Sequence, residues 1–467
     1  MPGYRGLVGL GGGGLLYRYT SSLSHDREIT VEALLVITAH TLHLAEKRLI
    51  DGNAACKSLE KLVSLLSEPP MLDNGESYED VWEYIEDLLY RETGGASQDV
   101  WMGRSRNDHV SAALRLYTLK KISLILKANL EARRRLVEET GEYRGTPVLL
   151  HTHQQPSQLA YLDCLLMGWE EALASAFQIV YSTIGVVDRS PLAASAGAGT
   201  LLPLDPERLA SLLGFNEVIG SPVYASGSRL DLAAAASAVS LYLVEASRIA
   251  GDIIFLSSPY VGVLKLPGDH VATSSIMPHK ENPATLEVLR SRARRAQGLL
   301  AAMTSIQAGL PTGYSLDFQE ANPLLYTLLA DALEATLVLS DILGRLEWDT
   351  SRLRKLVDEY VAYGAELAEY MTLKRGIPFR EAYSTVGRAA RMGGLERLME
   401  ELGIRDPLVL VGERRTGCTR SPDLGRIEER LERDASRVEA LEDRLGTAYE
   451  KLPRKAGEVA ASLCREN

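Results

Sequence analysis

The sequence predicts an all-α protein of three helical domains, the central one a bundle of long helices. The composition points that way, because 467 residues include only 5 Phe and 4 Trp among many Leu and Ala, which suits helix-on-helix packing. A chain of this length also exceeds one ordinary core, so two or three domains are expected. Apolar residues recur at helical spacing over unusually long stretches, whereas the period-two alternation of a half-buried strand appears only in short runs such as Pro147 to Leu150.

The N-terminal glycines Gly11 to Gly14 invite a phosphate-loop reading. No strand precedes them and no Lys-Ser/Thr or later ribose-binding acid follows at the right offset, so a flexible loop explains them better. From Ile29 to Tyr90 the pattern is helical, with polar breaks around Gly52 and from Pro69-Pro70 to Gly75, giving a first domain over 1–109. Val110 to Glu142 carries Leu114, Tyr117, Ile122, Ile125, Leu130 and Leu136 at helical spacing, a helix of about 30 residues where ~11 is usual. Further long helical patterns run over Leu159 to Val187, Leu230 to Ser257, Ala284 to Gln307 and Pro323 to Leu346. Five such rods need one another for burial, which makes 110–348 a bundle. Asp205-Pro206-Glu207 starts a shorter helix by N-cap and proline logic. After Trp348 the segments shorten and Gly364, Gly376-Ile377-Pro378 and Gly393-Gly394 punctuate them, marking a smaller helical domain over 349–467.

Several function classes are disfavoured. Lysine and arginine total 51 against 62 acidic residues, and the resulting net charge of -11 repels nucleic-acid phosphates. Cys56, Cys164, Cys418 and Cys464 are scattered, with no CxxC pair, and read as reduced structural thiols. The histidines offer no HExxH or other ligand spacing; His151 with His153 and His40 with His43 are the close pairs, so no metal is expected. The most apolar long segment, Leu232 to Val244, is interrupted by Glu245, Arg248 and Asp252, well short of the ~20 residues a bilayer span needs. Arg5 is followed by no proper signal-peptide core, so the expected location is the cytoplasm.

The stretch richest in chemistry is Ser274-Ser275-Ile276-Met277-Pro278-His279-Lys280-Glu281-Asn282-Pro283, a polar loop leading into the helical pattern at Ala284. Asn282 and Pro283 read as N-cap and first helical residue, which would aim unpaired N–H groups and the positive helix end at the loop, a setting that binds anions. Lys280 adds a point charge, while Ser274 and Ser275 add hydroxyls able to act as base or acid once desolvated or paired with a cation. These ten residues resemble the SSxMPxKxNP signature of the fumarase, aspartase and argininosuccinate lyase superfamily. Gly103-Arg104-Ser105-Arg106-Asn107-Asp108 is similar to the GRSRND segment of the argininosuccinate lyase family, and Thr152-His153-Gln154-Gln155-Pro156-Ser157-Gln158 to its TH-x-Q-x-x-Q segment. Lys374-Arg375-Gly376-Ile377-Pro378-Phe379-Arg380 matches a further family segment, whose expected role is packing.

The resemblance runs from about Tyr19 to Thr419. It implies a homotetramer whose central helices form one large bundle and whose active sites each draw on three subunits. It also implies β-elimination of argininosuccinate to arginine and fumarate, in arginine biosynthesis, with no cofactor. One group takes a Cβ proton to give an aci-carboxylate that needs donors and cations; another protonates the departing nitrogen. By resemblance, Ser274 is the base and His153 the acid or a proton shuttle, although the family's two roles are assigned in either direction. Lys280 and loop amides would stabilise the alkoxide and the aci-carboxylate, and Glu287 corresponds to the glutamate that pairs with the histidine. Ser22, Arg106, Asn107, Thr152, Gln155, Asn282, Tyr314 and Gln319 match the family's substrate-binding positions, the last two in the segment that recognises the arginine portion.

The chain departs from the family pattern in several places. EDIH becomes Glu79-Asp80-Val81-Trp82, and LHTG becomes Val100-Trp101-Met102-Gly103, so two histidines give way to tryptophan. A usual Thr-Asp pair is Ala112-Ala113, SxRDF reads Ser-Arg-Leu-Asp at 228–231, and a usual lysine is Asn322. Ser274, His153, Lys280 and Glu287 are intact. Two rival readings are another fumarate-releasing lyase, such as adenylosuccinate lyase, and a silent crystallin-like protein on the lyase scaffold. GRSRND, the Tyr314 to Glu320 segment and KRGIPFR speak against the first, and the intact proton-transfer set speaks against the second.

Overall fold

The computed structural model of the chain describes residue 15 and residues 19–72, 78–418 and 422–466; Gly11 to Gly14 and Gly75 lie outside the described residues. The N-terminal part contains α1 (Thr30–Glu46), α2 (Gly52–Ser67) and α3 (Val81–Glu92). Asp51 and Asp80 cap α2 and α3 through their carboxylates, which accept the N–H groups of Asn53, Ala54 and Glu83 that no helical carbonyl can reach. The first bundle rod, α4 (Arg106–Glu142), begins four residues before the apolar pattern does. Ser105 and Asp108 form a reciprocal capping box there, so polar side chains set the start of the helix.

A hairpin follows, β1 (Pro147–Thr152) antiparallel to β2 (Gln155–Tyr161), and leads into α5 (Leu162–Ser182). The helix expected from Leu159 therefore starts at Leu162, because β2 takes the preceding residues. After the short α6 (Pro206–Leu212), capped by Asp205 as expected, comes α7 (Leu230–Ser257), with the expected bounds. Two short strands, β3 (Ala272–Thr273) and β4 (Glu281–Asn282), pair antiparallel across the serine-rich loop before α8 (Ala284–Gln307). Asn282 is thus a strand residue and not the N-cap; Pro283 precedes the helix without a side-chain cap bond. The last rod, α9 (Asp317–Leu343), starts six residues before the expected Pro323 and carries that proline inside the helix, where its missing N–H forgoes a bond to the Gln319 carbonyl.

Among these rods α4 packs on α5 and α9, α7 on α5, α8 and α9, and α8 on α9, closing the bundle. Its centre is not wholly apolar. Arg133 of α4 is fully buried and donates to Glu170 of α5 and to Asp434, each at 2.8 Å. Removing one partner of such a group typically costs ~3–5 kcal/mol.

The residues after Trp348 divide between two bodies. Helices α10 (Thr350–Glu359), α11 (Gly364–Arg375), α12 (Phe379–Met392), α13 (Leu395–Leu402) and α14 (Leu408–Glu413) surround a separate small core that includes Val357, Leu367, Met371, Val386, Met399 and Val411. Lys374 to Arg380 makes the turn between α11 and α12, with Gly376 left-handed at φ 70°. In contrast, α15 (Leu424–Gly446) lies on α4, and α16 (Leu452–Glu466) lies on α1 and α2, as part of the main core.

This return of the C-terminus corrects the reading of the cysteines. Cys56 of α2 pairs with Cys464 of α16 at a Cα separation of 5.4 Å, and Cys164 pairs with Cys418 at 5.9 Å. Sequence spacings of 408 and 254 residues hid both pairings, which only the packing of distant helices creates. A second correction concerns apolar length. Among the described residues two segments, Leu23–Glu46 and Asp317–Leu343, are long and apolar enough to cross a membrane, but 83% and 56% of their apolar windows are buried inside the fold, as in core helices.

Candidate active site

The predicted residues occupy three places. The first is a cavity of about 300 Å³ at the N-terminus of α4. Gly103 turns the chain into this helix at φ +73°, where a Cβ would lie 2.7 Å from Leu202. The capping box then fixes Arg106 and Asn107 in the first turn, where the positive end of the helix dipole favours an anion. Arg106 Nη1 donates to Glu79 Oε2 at 2.7 Å and lies 3.0 Å from Asp80 Oδ2. Opposite, the Ser22 hydroxyl donates to Asp26 Oδ2 at 2.8 Å, and the Val81 N–H reaches the same oxygen at 3.2 Å. Gln319 enters from the first turn of α9, its amide donating to the Thr20 carbonyl at 2.7 Å. Tyr314 arrives on the preceding loop, which Gly227 lets approach closely: a Cβ on Gly227 would sit 2.5 Å from the Gly313 Cα. Ser22, Arg106, Asn107, Tyr314 and Gln319, five of the eight expected binding residues, thus line one cavity.

Three acids that the sequence reading did not place in the site, Asp26, Glu79 and Asp80, line the same cavity. Burial, reinforced by Asp80, pushes Asp26 up to about 7. Burial also raises Asp80, with Arg106 opposing, and raises the Tyr314 phenol. The cavity therefore presents a cation and a helix N-terminus to anionic groups, and carboxylates to cationic ones. Asp26 falls one helical turn after Ser22, a spacing that could have signalled it. Of the departures, Trp82 and Asn322 line the cavity, whereas Trp101 lies under the Arg104 guanidinium, 4.2 Å from its ring centre. A larger cavity of about 610 Å³, mostly apolar, lies on the other side of the Gly313 loop and contains none of the predicted residues.

The second place is the hairpin tip. Thr152 and Gln155 are the last paired residues, and between them His153 and Gln154 both take left-handed backbone, φ 54° and 57°. This is the two-residue turn that normally selects Asn-Gly, so histidine and glutamine are held there at a cost of about 1–3 kcal/mol each. The hairpin is fastened to the small C-terminal core: Leu159 is buried in it, the Leu159 N–H donates to the Ala362 carbonyl at 2.8 Å, and Gln158 donates to Glu366 at 3.0 Å. His153 stands exposed at the tip.

The third place is the 274–280 loop, pinned by the pairs Ala272↔Asn282 and Thr273↔Glu281. The Ser274 hydroxyl accepts the N–H groups of Ile276 and Met277 at 3.4 and 3.3 Å, and Lys280 and Glu287 are exposed. Among the described residues, Thr152, His153, Gln155, Ser274, Lys280, Asn282 and Glu287 do not line the α4 cavity.

A family profile described as a lyase matches residues 19–298. The argininosuccinate lyase of Pyrobaculum arsenaticum is 39% identical over 415 residues, covering 88% of this chain and 94% of that protein. The chain belongs to the argininosuccinate lyase family. The argininosuccinate lyase of Sulfurisphaera tokodaii is 34% identical over 441 residues, covering 94% of each protein. Among solved structures, an EDDS lyase variant with bound fumarate shares the fold at a TM-score of 0.78 and 22% identity, covering 94% of this chain and 92% of that one. A class II fumarase from Schistosoma mansoni does so at 0.69 and 16%, covering 82% and 88%. The all-α, long-helix fold read from the sequence is therefore the family's own.

Proposed function

We infer that this lyase cleaves argininosuccinate to arginine and fumarate. Besides its family membership, the observation that carries the reading is the mixed charge of the α4 cavity. Arg106 and the Asn107 helix end suit carboxylates, while Asp26, Glu79 and Asp80 suit a guanidinium or ammonium group, and argininosuccinate has both kinds. In the reaction a Cβ proton leaves, the Cα–N bond to the guanidinium breaks, a Cα=Cβ bond forms and the leaving nitrogen gains a proton. Ser274 takes the Cβ proton and His153, oriented by Glu287, serves the nitrogen. Lys280 stabilises the aci-carboxylate, and Thr152, Gln155 and Asn282 contact substrate. No cofactor is needed, because every group is a side chain or amide.

The separation of the three places within one chain supports sites completed between subunits of a homotetramer. So do the exposed apolar residues Leu230, Leu241 and Val244 on α7, Val288 on α8 and Leu337 on α9, which leave the bundle with uncovered faces. The division 1–109 and 110–348 goes with this reading, whereas of 349–467 only helices α10 to α14 form the small unit that supports the hairpin, since α15 and α16 belong to the main core. The cytoplasm is the proposed compartment.

Fumarate absorbance tests the reading. Purified protein given argininosuccinate should release fumarate, and EDTA should not change the rate. Faster turnover of adenylosuccinate would overturn the substrate assignment.

A further inference from the structure

Beside the serine loop lies a polar cluster that the chemistry above does not use. His270 ends the turn Gly268–His270 just before β3, with its ring buried. Its Nε2–H donates to Asp341 Oδ2 of α9 at 2.7 Å. That tautomer leaves Nδ1 as an acceptor for the Thr285 hydroxyl, 3.0 Å away on the first turn of α8. Thr285 Oγ1 also lies 3.3 Å from the His270 carbonyl. Arg345, one turn beyond Asp341, pairs with Asp341 and, at 3.0 Å, with Asp269. The carboxylates are thus already neutralised by a guanidinium, and the hydrogen bond from His270 holds Asp341 below its usual pKa. The cluster is a clamp with its acceptor fixed in place.

We propose that His270, gripped by Asp341 and Thr285, is the positioning residue that sets the Ser274–Lys280 loop against α8 and α9. Only two residue pairs hold the stem of this loop, and a two-stranded ribbon that short is marginal by itself. His270 lies two residues before β3 and Thr285 three residues after β4, so their bond closes the stem from below. Asp341 then fastens the closed stem to a bundle helix. Thr285 is also two residues from Glu287, and the same contact fixes the first turn that carries this acid. Because reacting groups displaced by about 1 Å can lose ~100-fold in rate, a loosened stem should show in turnover before it shows in binding.

The inference rests on the reading of Ser274 and Lys280 as site residues, and two independent measurements separate it from that reading. Steady-state kinetics and tryptic cleavage after the exposed Lys280 are followed in wild type, His270→Ala, His270→Gln and Asp341→Asn. His270→Ala should lower kcat at least ~10-fold with KM within about threefold, and should speed cleavage after Lys280 at least ~10-fold. His270→Gln, whose amide can still reach Asp341, should recover part of both. An unchanged kcat with unchanged cleavage overturns the proposal, as does a glutamine variant no better than alanine. If wild type releases no fumarate, the catalytic reading fails, and wild-type cleavage in His270→Ala would then overturn the clamp by itself. Should His270→Ala not fold, Asp341→Asn, whose side chain is half exposed, decides by the same criteria.

Discussion

Replacing Asp26 by Asn should make the protein more stable at alkaline pH and change little in acid. Asp26 is buried at 3% exposure beside Asp80, and its pKa is raised to about 7 from 3.8. Native protein therefore binds this proton more tightly than unfolded chain does. The stabilisation is complete below about pH 4, declines as pH rises through 7, and is gone above it. About 3 units at 1.36 kcal/mol per unit give about 4 kcal/mol as an upper bound, and relaxation around the carboxylate could halve it. With roughly 2.1 cal/mol/K of unfolding entropy per residue, this large chain should shift by about 2–4 °C. Scanning calorimetry of wild type and Asp26→Asn from pH 4 to pH 8 measures the difference. Asp108, also raised to about 7 by burial, titrates in both proteins and cancels. A difference that stays flat over the range would show that Asp26 is ionised throughout and refute the reasoning.

Ser274→Ala and His153→Asn should each lower turnover at least ~100-fold with the helical circular-dichroism signal intact, and near-normal turnover in the serine variant would remove it as base. Asn322→Lys places an ammonium beside Arg106 in the cavity and should lower KM with kcat changed less than about threefold; an unchanged KM would mean that Asp26, Glu79 and Asp80 absorb the new charge. Joint replacement of Cys56 and Cys464 by Ser should cost about 2–4 kcal/mol of stability while sparing turnover at moderate temperature. Four free thiols in unreduced native protein would contradict both pairings.

Helical periodicity was enough to locate α7 and α8 to the residue, because their apolar faces are long and uninterrupted. It failed where polar residues or strand pairing set the boundary: at Ser105, at Leu159 to Tyr161 and at Pro323. The motifs showed which residues carry chemistry but not how they meet. Ser22, Arg106 and Gln319 converge although nearly 300 positions separate the first from the last, and nothing local marks that. His153 was legible as a motif residue, whereas its left-handed backbone was not, since His-Gln is a poor match to that turn. The disulfides and the return of α15 and α16 to the main core are long-range packing outcomes with no signature in spacing.

In the homotetramer inferred above, the cavity, the hairpin tip and the serine loop meet only between subunits. Inactive His153→Asn and Ser274→Ala subunits, co-refolded and assayed for fumarate release, test this arrangement. Part of the activity should return, because some mixed sites would contain neither change. No recovery in tetramers proven to be mixed would mean that each site is built from a single chain.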